Sequence, residues 1–144
     1  MLYFVLAFVA GMALTIQVGI NSTLRRGLGN PWMATLVSFL VGTVGLALFL
    51  LLMRTSLPTK TAIASVPAWA WFGGLVGAFY VATTVIAGPR LGSATLLALV
   101  VLGQLLASLV IDHYGWIGFP EHPLSTQRIL GAILLFSGVL LIVR

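Results

Sequence analysis

The chain has 144 residues, of which 60% are hydrophobic and only 6% charged, with seven Lys and Arg set against two Asp and Glu. A mean hydropathy of +1.18 leaves far too little polar surface to cover a water-soluble globule of this size, so lipid has to surround it. The net charge of +5 arises because acids are scarce, and only Arg25 and Arg26 adjoin each other, which argues against a nucleic-acid partner. The lack of cysteine excludes disulfides and thiolate metal sites.

A hydrocarbon core of roughly 30 Å takes about 20 helical residues to cross, and five apolar stretches of that length follow one another. The first covers residues 2–24 and ends at Arg25-Arg26-Gly27-Leu28-Gly29. With no basic n-region ahead of the apolar run, it reads as a retained helix rather than a signal peptide. Asn30-Pro31 opens the second, 31–53, with Asn30 suited to the N-cap and Pro31 to the first helical position. A polar connection over 54–66 leads to Pro67 and the third span, 67–87, which stops at Gly88-Pro89-Arg90-Leu91-Gly92. The fourth, 93–111, is followed by a loop over 112–125, and the fifth, 126–143, closes the chain. Trp32, Trp69 and Trp71 stand where spans begin, as interface anchors do.

Connections alternate between the two sides of the membrane. Arg54, Lys60 and Arg128 share one side with the N-terminus, and Arg25, Arg26, Arg90 and Arg144 occupy the other. Lys and Arg bias normally fixes orientation, and this one is too small to do so. The expectation is dual topology. An odd number of spans without a preferred orientation suits an antiparallel homodimer, in which opposite insertions supply the two halves of an inverted-repeat transporter. The alternative is a chain of fixed orientation that oligomerises in parallel.

Polar and small residues within the spans fall on stripes at helical spacing. Gln17 and Asn21 share a face with Ala10, Ala13 and Leu14; Thr35, Ser38, Gly42, Gly45 and Phe49 form a second stripe. Gly73, Gly77, Tyr80, Thr84 and Ala87 form a third, and Ser93, Leu97, Val100, Gln104 and Ser108 a fourth. Small residues permit close backbone approach, so packing accounts for Gly42, Gly73 and Gly77. The amides of Gln17, Asn21 and Gln104 carry donors and acceptors that are costly to leave unpaired in hydrocarbon. Either they lock a dimer or they line a polar pathway. Tyr80 offers both a hydroxyl and a ring face to a ligand.

No span carries Asp, Glu, Lys, Arg or His near its middle, which speaks against carboxylate-based proton coupling. Asp112 reads as a helix-end or loop residue. His113 and His122, with Asp112 and Glu121, flank a loop without ligand or catalytic spacing, so no enzyme, metal or cofactor is expected. The last span, with Gly131 and Gly138 seven apart, suits a dimer contact.

The segments Gln17-Val18-Gly19-Ile20-Asn21-Ser22, Leu36 to Thr43, Gly88-Pro89-Arg90-Leu91-Gly92, Gly103 to Ser108 with Asp112-His113-Tyr114-Gly115, and the Gly131 to Gly138 helix resemble the YdcZ-like family of bacterial inner-membrane proteins, in the drug/metabolite transporter superfamily. The resemblance spans essentially the whole chain. It implies a five-helix unit equal to half of a ten-helix transporter, paired with an antiparallel copy or an inverted sister chain. The superfamily's small multidrug resistance members carry a glutamate in the first helix, where this chain offers Gln17.

The resulting expectation is an all-α, multi-pass protein of the bacterial inner membrane, a single five-helix domain over residues 1–144 that contacts lipid. As an antiparallel homodimer it moves a small polar or weakly cationic organic solute. Gln17, Asn21, Ser38, Tyr80, Thr84, Gln104 and Ser108 line the pathway, and Gly42, Gly73, Gly77, Gly131 and Gly138 serve packing and the dimer. The rivals are a structural assembly subunit, in which nothing crosses, and a parallel oligomeric channel.

Overall fold

The computed structural model describes all 144 residues, and its only regular elements are helices, without strands. The helices are α1 (Leu2–Leu28), α2 (Pro31–Leu52), the short α3 (Lys60–Ala64), α4 (Gly73–Leu91), α5 (Ser93–Tyr114) and α6 (Thr126–Val143), and a 3-10 segment, Ala68–Phe72, leads into α4. Five helical segments are long and apolar enough to cross a bilayer, the 3-10 segment counting with α4. A helix satisfies its own backbone, so an all-helical chain can enter hydrocarbon without orphaned amides.

Helix starts follow local chemistry. The Asn30 side chain accepts hydrogen bonds from the backbone N–H groups of Trp32 and Met33 ahead of Pro31. Thr59 caps α3 through the N–H of Ala62, and Ser125 caps α6 through that of Arg128. Each satisfies a donor that the first helical turn leaves free.

Helix ends depart from the spans expected of the sequence. The first helix runs on to Leu28, because Arg25 and Arg26 are good helix formers and their charges suit a C-terminal turn. The fourth passes through Gly88 and Pro89 to Leu91. The break before the next helix is left to Gly92, whose φ of 79° and ψ of 160° belong to a region that only glycine enters freely. The fifth reaches Tyr114 and so takes Asp112 and His113 into its last turn. Its end at Gly115 needs glycine twice over: φ is 62°, and a Cβ there would lie 3.3 Å from Glu121 Cβ.

Two compact units make up the chain, Met1–Pro89 and Arg90–Arg144. In the first, α1 and α2 form a closely packed hairpin. Its interior holds Val18, Asn21 and Ser22 from α1, Ala34 and Thr35 from α2, and Val81, Ala82, Thr84 and Val85 from α4. In the second, α5 and α6 form the hairpin. Buried hydrophobic side chains are few, while Leu51 and Leu134 are each 72% exposed. Exposed leucine on a span is what lipid contact requires.

Several hydroxyls on the spans turn back on their own helices. Thr15 donates to the Gly11 carbonyl, Thr23 to Gly19, Thr35 to Pro31, Thr43 to Phe39 and Ser137 to Ile133, each four residues back, at 2.8 to 3.2 Å.

Candidate functional site

Asn21, Ser22, Thr35 and Thr84 are the buried polar residues of the chain, and all four belong to the first unit. Thr35 and Thr84 donate to the Pro31 and Val81 carbonyls, both at 2.9 Å, so their donors are spent. Asn21, 3% exposed, brings an amide with two donors and an acceptor into the same interior. On α4 the Tyr80 hydroxyl is buried without a hydrogen-bond partner. A buried hydroxyl left in that state costs roughly 1–3 kcal/mol, a deficit that a water or a solute group removes.

The remaining residues of the expected pathway are distributed as follows. Gln17, one turn before Asn21, and Ser38 on α2 are half-buried. In the second unit Gln104 and Ser108 are exposed, and Ser108 lines a groove between α5 and α6. Among the glycines assigned to packing, Gly77 faces the Phe39 ring, whose Cζ lies 3.5 Å from where a Cβ would stand. That is an ordinary contact between α2 and α4. Gly42, Gly73, Gly131 and Gly138 have open space at the same position, leaving room for a helix from another chain.

Two arginines do more than the topology count credits them with. Arg25 reaches from α1 to α4, where Nη1 donates to the Val85 carbonyl at 2.9 Å and to that of Ile86 at 3.4 Å. The partner of Val85 O in an unbroken helix is the N–H of residue 89, and Pro89 has none. Arg25 supplies the missing donor, which is why the helix survives its proline. The spacing from Val85 to Pro89 was open to inspection in the sequence, but a donor sixty residues upstream was not.

Arg128 Nη1 lies 3.2 Å from Asp112 Oδ2 and 3.1 Å from the His122 carbonyl. The His122 N–H returns a bond of 2.6 Å to the Asp112 carbonyl, and His113 Nδ1 accepts from the N–H of Leu124 at 3.3 Å. The loop between α5 and α6 is thereby tied to the end of α5. Asp112 is a helix-end hydrogen-bonding residue as expected, though it stands inside α5, and its side chain is part of an ion pair at the mouth of the groove. Nowhere do three or more His, Asp or Glu converge in a way that could hold a metal ion.

Comparison with known proteins agrees with this architecture. A family model described as "Putative inner membrane exporter, YdcZ" matches residues 2–141. The chain is 30% identical over 135 residues to the inner membrane protein YdcZ of Escherichia coli strain K12, an alignment covering 94% of this chain and 90% of that protein. No solved structure matches.

Proposed function

The chain belongs to the YdcZ family of inner-membrane exporters, as a multi-pass transporter of the bacterial inner membrane, and on that premise we propose that two copies in opposite orientation form one transport unit. Each copy supplies five spans of a ten-helix, inverted-repeat transporter. The solute is a small polar or weakly cationic organic molecule, recognised by neutral hydrogen-bonding groups. Gln17, Asn21, Ser38, Tyr80 and Thr84 of the first unit, with Gln104 and Ser108 of the second, are the groups proposed to line its path.

The observation that carries this reading is that one unit holds both a buried amide, Asn21, and a buried, unpartnered hydroxyl, that of Tyr80. A packing core has no use for an unsatisfied hydroxyl, whereas a solute path does. The near-even division of Lys and Arg supports the opposed orientation. The proposed dimer contact is α6, with Gly131 and Gly138 on its exposed or half-buried surface.

The absence of cysteine makes a direct test simple. A single Cys is placed beside Arg144, and in a second variant near Ser125, and intact cells are treated with a membrane-impermeant thiol reagent. Labelling of about half the molecules at each site is the expected result for insertion in both orientations. Full labelling at one site and none at the other removes the antiparallel homodimer. The chain would then work in parallel or beside an inverted sister chain.

A further inference from the structure

Within the second unit, a groove of about 450 Å³ lies between α5 and α6, lined by Leu105, Leu109, Ala132 and Leu135 with Ser108 and Gly131. The Asp112–Arg128 pair also borders it. Asp112 is in the last turn of α5 and Arg128 in the first turn of α6, so the charges lie at a helix-end level of the span and the leucines one or two turns deeper.

Each charge stands at the wrong end of its helix. A carboxylate near a helix C-terminus and a guanidinium near a helix N-terminus both oppose the backbone dipole, and α6 has no acidic residue in its first turn. The two neutralise each other, but neither favours its own helix. What the arrangement does favour is a ligand of two charges. An anion beside Arg128 also gains the positive end of α6, and a cation beside Asp112 gains the negative end of α5. A ligand of one sign would leave the other member of a partly desolvated pair without compensation.

We infer that this groove is a binding site for a zwitterionic phospholipid whose headgroup carries a primary ammonium and a phosphate. The ammonium bonds Asp112, the phosphate is drawn to Arg128 and the start of α6, and an acyl chain lies along Leu105, Leu109 and Leu135. The side chains at the mouth are 26% exposed for Asp112 and 37% for Arg128, open enough for a headgroup to reach. Gly131 adds no side chain to the groove, and its Cβ position is free of neighbours. The site is argued from the second unit alone and stands whether or not the transport reading does.

The test is retention of added lipid by the purified protein, counted by native mass spectrometry in detergent. The probes are phosphatidylethanolamine, phosphatidylglycerol and free phosphoethanolamine. The expected result is retention of phosphatidylethanolamine about tenfold stronger than that of phosphatidylglycerol, and no competition from the free headgroup. Asp112→Asn should erase the preference between the two lipids. Ala132→Leu, which narrows the groove, leaves the ion pair in place and spares the glycines assigned to the dimer, should lower retention of phosphatidylethanolamine by a similar factor, so the site can be judged even if loss of the pair unfolds the protein. Equal retention of the two lipids by the unsubstituted protein overturns the proposal. So does undiminished retention of phosphatidylethanolamine in Ala132→Leu, or displacement of the lipid by phosphoethanolamine.

Discussion

Arg25 and Pro89 are a complementary pair: the proline withholds an N–H from the Val85 carbonyl, and the guanidinium delivers one at 2.9 Å from another helix. A charged donor of this kind contributes about 1.5–3 kcal/mol. Arg25→Ala should destabilise the protein by that order, measured by unfolding in detergent. Pro89→Ala restores the helix's own donor, so Arg25→Ala should cost at least about 1 kcal/mol less in that background. Additive losses would mean that the arginine does something other than replace the missing amide.

Tyr80→Phe removes a hydroxyl that bonds nothing in the chain. Stability should change by less than about 1 kcal/mol, in either direction. Solute flux in proteoliposomes should fall roughly tenfold if that hydroxyl meets the solute. Unchanged flux takes Tyr80 out of the path.

For the amides, flux and assembly have to be read together. Gln17→Ala and Gln104→Ala should each abolish transport while the dimer persists in size-exclusion chromatography with light scattering. If the dimer dissociates instead, these residues are locks, and the assembly-subunit reading takes precedence.

Gly138 has room for a side chain in its own chain. Gly138→Leu should therefore leave helix content and single-chain unfolding unchanged while weakening self-association at least tenfold. Gly92→Ala is the opposite case, because its backbone lies where L-residues are strained, and a loss of about 1–3 kcal/mol in unfolding free energy is expected.

The parts of this fold visible in the sequence are those written locally. Asn30-Pro31 announced α2, Ser125 and Thr126 began α6 where the fifth apolar run began, and five apolar lengths specified five crossings. Helix ends are less legible, because Pro89 signals a stop by itself and the arginine that removes the reason for stopping is distant in sequence. Arg25 and Arg128 looked like topology charges for the same cause: their partners are 60 and 16 residues away, beyond any helical repeat. For the candidate site, periodicity marked Asn21 and Tyr80 as members of polar stripes. It cannot tell that Thr84, on the same face as Tyr80, donates its hydroxyl hydrogen bond to the Val81 carbonyl.

That last distinction bears on how the protein enters its membrane. A threonine whose proton is held by the carbonyl four residues back presents mainly a methyl group to its surroundings, and from the bilayer Thr15, Thr23 and Thr43 resemble valines. The partition cost that their hydroxyls would impose is largely met inside each helix, before any helix has found a neighbour. A newly made span can thus settle in lipid alone, and replacing these three residues by valine should leave insertion efficiency unchanged. The polar demand of these spans is therefore smaller than their threonine content suggests.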